Sequence, residues 1–187
     1  MSRIRQIVGL DLGARNVRAA WVQVHGREPL LTRREQMALP PEGGDQTALI
    51  RSWLERLGLR DSFVAVALPG AQVVFQPGRL TPEDPRTPRQ AADMELATFN
   101  DMAGDSMTAD MTTHEWSPGL RVYLMAMARP AVVAGALQAL EPLGVRPADL
   151  VPAPVALFNT LGRTVAADEP PVLFLDVGHG QTEVAIG

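Results

Sequence analysis

The sequence predicts an α/β fold: a mixed-sheet domain carrying a small inserted α+β subdomain, with a second domain begun at the end of the chain. Three observations predict it. The chain opens on a β-meander whose first turn follows an aspartate, "IVGLDLGARNVRAAWVQ". A helical pattern and a continuous apolar strand, "SFVAVALPG", come next. Residues 71–146 then show their own strand–helix–strand–strand–helix order before the opening pattern returns in "PVLFLDVGHGQTEVAIG".

Each element has a local reason. Residues 4–11 and 16–24 are apolar runs joined at Gly13, and "PLLTRREQMAL" (29–39) is a third strand, its edge blunted by Arg33 and Arg34. Asp45 is an N-cap for a helix to Leu57, closed by Gly58, with Leu49, Ile50, Trp53, Leu54 and Leu57 on one face. The unbroken apolar character of "SFVAVALPG" predicts a strand buried on both faces. "QVVFQPGRL" is another strand. Thr87, Pro88 and Gln90 then form a capping box, opening a helix to about Met102 that buries Ala92, Leu96 and Phe99. Residues 108–116 and 120–128 pair around "SPG", with Met125 and Met127 packed on one side of their strand. Pro130 opens a further helix, "ADLVP" is a short strand, "APVALFNTLGR" a helix and "VAADEP" a polar hinge.

Composition narrows the chemistry. The chain has 187 residues, 46% of them apolar, enough for a sizeable core. A net charge of -4 gives no electrostatic reason to expect nucleic acid as partner. All 17 basic residues are Arg, so no lysine can contact phosphate, and without Cys there is neither a disulfide nor a thiolate metal site. His25, His114 and His179 lack zinc-site spacing, and no nucleophile elbow occurs. No apolar run approaches the ~18 residues of a membrane span, and the start does not read as a signal peptide. A soluble, cytoplasmic protein is expected.

The repeated hairpin carries the functional signal. A strand ending in Asp-x-Gly brings a carboxylate to its tip, and the glycine lets successive backbone N–H groups converge on an anion. A carboxylate beside phosphate requires a cation between them, which suits Mg²⁺ held largely through water. One such turn reads as an ordinary Asx turn; two, each after an apolar run, read as a pair gripping one set of phosphates.

The paired hairpins resemble the two phosphate motifs of the actin-like ATPase superfamily, whose core is ribonuclease H-like. The inserted subdomain resembles that of the bacterial branch containing the FtsA and PilM families. "VAVALPGAQVVFQPGRL", the helix with Glu95, and "VYLMAMARPAVVAGALQALEPLGVRPADLVPAPVALFNTL" follow the PilM order most closely. The resemblance implies subdomain 1A at 1–70 and 147–165, an inserted 1C-like subdomain at 71–146, and the start of domain 2A at 166–187. On that pattern the chain is an N-terminal fragment, truncated before the second domain is complete and unable to form a whole nucleotide site by itself.

Carried onto this sequence, the resemblance makes Asp11 and Asp176 the water-mediated Mg²⁺ holders, facing each other across one crevice. Gly13, Ala14, Arg15, Asn16 and Arg18 form one phosphate cradle; Gly178, His179, Gly180, Gln181 and Thr182 form the other. Arg18 stands where relatives carry a phosphate-contacting lysine, and Ala14 where a small hydroxyl is frequent. The implied cofactors are ATP and Mg²⁺, complete in the full-length parent. The implied partner is an inner-membrane pilus assembly protein whose PilN-like N-terminal peptide docks in a groove between the first and inserted subdomains. Self-association is left open, and no catalytic residue is identified, so enzymatic activity is left open too. Two alternatives fit less well: an inert cytoplasmic module of the GspL type from type II secretion, and a fragment of a sugar-kinase-type phosphotransferase. Met94, Met102, Met107 and Met111 read either as packing or as an adaptable peptide-binding surface.

Overall fold

The structure is a computed structural model, described over residues 5–25, 28–41, 45–60, 62–104, 106–161 and 170–186. The chain divides into two compact units, Met1–Gly70 with Ala134–Gly187, and Ala71–Val133.

In the first unit, β1 (Arg5–Leu12), β2 (Asn16–His25) and β3 (Glu28–Ala38) form the expected antiparallel meander. Next come α1 (Gln46–Leu57) and β4 (Phe63–Leu68). β4 lies parallel to β1 on its other side, and β8 (Asp149–Pro152) extends the sheet to the order β3-β2-β1-β4-β8. A parallel pair requires a crossover, and α1 supplies it. The Asp45 side chain accepts the N–H of Ala48, while Gly58 closes the helix in the left-handed region at φ 68°. Trp53, Leu54 and Leu57 of α1 are buried with Val8, Leu10, Val17 and Val64 of the sheet. Leu49, expected on that face, is 43% exposed. The edge strand β3 lays the Arg33 guanidinium 4.3 Å from the Trp21 ring, covering an otherwise apolar flank.

The expectation that β4 is buried on both faces needs correcting. Val64, Val66 and Leu68 are buried, Ala65 and Ala67 are half-buried, and Phe63 is 57% exposed. The run is apolar because its second face carries small residues, and Ala65 and Ala67 on that face line an open concavity together with Ala156 of α4 (Ala153–Leu161). The boundary expected at 146 also moves. Within 134–146, Leu140, Leu143 and Val145 are buried in the first unit's core, so burial assigns this stretch there. The first unit ends in the hairpin of β9 (Leu173–Val177) and β10 (Thr182–Ile186). The expected "VAADEP" hinge falls almost wholly outside the described residues.

In the second unit, β5 (Val73–Leu80), β6 (Thr108–Ser117) and β7 (Leu120–Ala128) form an antiparallel sheet in the order β5-β7-β6. Its helix, α2 (Pro88–Ala103), opens on the predicted capping box: Thr87 accepts the Gln90 N–H, and Gln90 accepts the Thr87 N–H. Ala91 and Ala92 bring α2 close to Leu80, Tyr123, Met125 and Met127, with Leu96 and Phe99 packed at the margin. Gly78 sits against the Tyr123 ring, where a Cβ would overlap it. α3 (Pro130–Gln138) begins in this unit and ends in the first.

Candidate functional site

The first turn lies between β1 and β2, where register sets Asp11 opposite Arg18. Arg18 Nη1 donates to Asp11 Oδ2 at 2.8 Å, with each side chain near half exposed, so the pair contributes at most about 1 kcal/mol. The expected phosphate ligand is thus held by the expected metal ligand. A bound cation or phosphate would compete for these two groups at little cost. The turn is braced from β3 and the residue after it: Asn16 Oδ1 accepts from Gln36 Nε2 at 3.0 Å, and the Arg15 carbonyl accepts the Leu39 N–H at 2.7 Å.

The second turn repeats the first. Asp176 faces Glu183 in the same register, and the Gly178 N–H donates to the Gln181 carbonyl at 2.9 Å. A Cβ on Gly13 would lie 2.8 Å from the Asn16 carbonyl oxygen, and one on Gly178 would lie 2.8 Å from that of Gln181. Neither glycine is among those with positive φ, which among the described residues are Gly58, Gly104, Gly119 and Gly144. Glycine is required here for space, because the chain folds back onto its own carbonyl three residues on. Ala14, His179, Gly180 and Thr182 are exposed at the two tips. A Cβ added at Gly180 would meet nothing within 4 Å.

Glu183 was not anticipated. It occupies the place in the second hairpin that Arg18 holds in the first, yet it is buried at 8% exposure. Its Oε1 accepts the Gly70 N–H at 2.8 Å and Gln181 Nε2 at 3.0 Å, pinning the second turn to the segment after β4. Pro154, at the start of α4, closes on Gly70 from another side, so no side chain fits there. The only sequence signal was the repeat register itself, because Gly70 lies 113 residues away.

The open sheet face beside the first turn forms a concavity of ≈ 830 Å³, lined by Gly9, Asp11, Arg18, Ala65, Ala67 and Val151 among others. Among the described residues no three Asp, Glu or His side chains gather to cage a metal. The donor set therefore suits a cation held by one or two carboxylates and water, as Mg²⁺ is on phosphate. Two turns with backbone N–H groups at exposed tips suit the phosphates.

No family model and no curated protein matches the chain. Solved structures do, and they define its class: the chain has the actin-like ATPase fold. A Bacteroides thetaiotaomicron protein of that fold and unknown function aligns at TM-score 0.52 and 6% identity, over 98% of this chain and 65% of that one. The likeness is greater to PilM in the PilM–PilN type IV pilus biogenesis complex, at TM-score 0.74 and 22% identity, over 96% of this chain. The chain spans 57% of that structure's length. The cytoplasmic domain of EpsL, an inner-membrane component of the Vibrio cholerae type II secretion system, aligns at TM-score 0.54 and 12% identity, over 96% of this chain and 71% of that domain. At these identities the likeness concerns the fold.

Proposed function

We propose that this chain is the actin-like scaffold module of a type IV pilus or related secretion assembly, docking a short peptide of an inner-membrane partner of the PilN kind. It belongs to the cytoplasmic side, held at the inner membrane through that partner; among the described residues no helix is long and apolar enough to cross a membrane. In the longer protein that such relatives represent, the two turns bind the phosphates of ATP. Gly13–Asn16 and His179–Thr182 offer backbone N–H groups, with the Gly178 N–H spent on closing its own turn, while Asp11 and Asp176 hold the waters of Mg²⁺ from opposite sides. The Mg²⁺ would neutralise phosphate charge. The chain's own residues bind and orient the nucleotide.

The observation that carries the nucleotide reading is the repetition of one turn, with the same register and the same glycine-to-carbonyl packing, at both ends of the first unit. The docking reading is supported by the PilM-like fold. Calorimetry on the 187-residue chain tests both. A PilN-type N-terminal peptide is expected to bind at roughly micromolar Kd, about -8 kcal/mol. Mg-ATP is expected to bind much more weakly, and the Asp11→Asn/Asp176→Asn double variant is expected to abolish it. A silent peptide titration overturns docking, and Mg-ATP affinity indifferent to both aspartates overturns the phosphate-turn assignment.

A further inference from the structure

The second unit holds a groove that the phosphate turns do not use. It lies between α2 and the sheet, has a volume of ≈ 360 Å³, and carries four thioethers on its lining, Met94, Met102, Met125 and Met127, with Phe99 beside them. Met125 and Met127 are buried at its base, whereas Met94 is 56% and Met102 84% exposed. Unbranched, polarizable side chains of this kind reshape around different apolar guests. Two flexible methionines left in solvent beside a cavity suit a movable cover.

One wall is charged. Glu95 lines the groove, and its Oε1 accepts from the Tyr123 hydroxyl at 2.7 Å. Its Oε2 is closed off from solvent and has no hydrogen-bond partner among the described residues. An unmatched carboxylate oxygen in an apolar setting is costly, and a charged donor relieves that cost best. Arg86 lines the same groove, but its guanidinium is committed to Asp84, with Nη2 2.6 Å from Oδ2 and Nε 3.0 Å from Oδ1. Arg86 is thus hydrogen-bonded to Asp84 and reaches Glu95 only through the field of its charge, so Glu95 Oε2 still lacks a donor among the described residues.

We propose that this groove is a docking site for a partner peptide bearing an arginine or lysine next to an aliphatic residue. The aliphatic part and the stem of the basic residue lie on the methionines, and the cation meets Glu95 Oε2 once the Met94 and Met102 side chains swing aside. This rests on the reading that the chain docks a partner's peptide, and it names where and by what chemistry within the second unit.

The test pans a random dodecapeptide display library against the full chain and follows selected peptides by NMR of ¹³C-methyl methionines. Selected peptides are expected to pair Arg or Lys with Leu, Ile or Val. They should shift the methyls of Met94, Met102, Met125 and Met127 and leave Met37, on the first unit's core, unmoved. Glu95→Gln keeps an acceptor for Tyr123 and is expected to weaken binding about tenfold, as is Met102→Glu at a position too exposed to threaten folding. Selected peptides without a basic residue, unchanged binding to Glu95→Gln, or shifts confined to other methionines would each overturn this site. Binding of the PilN-type peptide with these four methyls unmoved rejects the groove while leaving the docking reading intact.

Discussion

Tyr123 shows how one side chain can make part of the fold measurable. It is the chain's one tyrosine, and the sequence has neither Lys nor Cys, so between about pH 9 and 12 little else titrates. Burial first, then the hydrogen bond and charge of Glu95, push its hydroxyl from the ordinary 10.0 up to about 12. The folded form therefore holds this proton more tightly than the unfolded chain. Its contribution is fully present below pH 10.0 and is lost as pH rises toward 12, in total about 2–3 kcal/mol. Absorbance of tyrosinate should rise with a midpoint well above 10, and stability should fall across that window; a midpoint at 10 would contradict the buried pair. The turn glycines make a second residue-scale case. Gly13→Ala and Gly178→Ala each press a Cβ against a carbonyl at 2.8 Å and should cost about 1–3 kcal/mol in urea unfolding. Gly180→Ala, with open space around it, should change stability by less than ~0.5 kcal/mol. The Asp-x-Gly spacing was legible in the sequence, but the reason for glycine was not, since it depends on where a carbonyl three residues on comes to rest.

At the scale of elements, caps and periodicity reported well because they are local. Asp45, Gly58 and the Thr87–Gln90 box mark helix ends through contacts within four residues: α1 begins and ends, and α2 begins, where these residues put them. Strand β4 misled because apolar character does not say whether a face is covered or only narrow: Ala65 and Ala67 are apolar and small, and their face stays partly open. The β9–β10 hairpin depends on a contact no local pattern contains. Glu183 ties it to Gly70, the last residue before the chain passes into the second unit. Glu183→Ala should speed amide exchange at Gly70 and through the hairpin at least tenfold, whereas Glu183→Gln, whose amide oxygen can still accept, should hold protection near the parent's. Equal exchange in both variants would mean the hairpin is positioned by its other contacts, among them those with α4.

Across the whole molecule, a second core inside the sequence of the first explains why the residues from 71 onward show an element order of their own. The return to the first unit was read too late because "AVVAGALQALEPLGV" has a helical pattern that names no partner. Leu140, Leu143 and Val145 belong to the first core through contacts with residues far earlier in the chain. The actin-like class was legible because its two hairpins are short, repeated and nearly rigid in spacing. The sequence by itself determined the elements, their caps, the repeated Asp-x-Gly turns and the inserted unit, since each is written within a few residues or one helical period. Only the tertiary structure decided that Arg18 is engaged by Asp11, that Glu183 anchors the second turn, and that Glu95 holds an unmatched oxygen beside a methionine-lined groove. Those facts depend on which distant groups burial forces together, and hydrophobic burial does not specify its partners in a linear sequence.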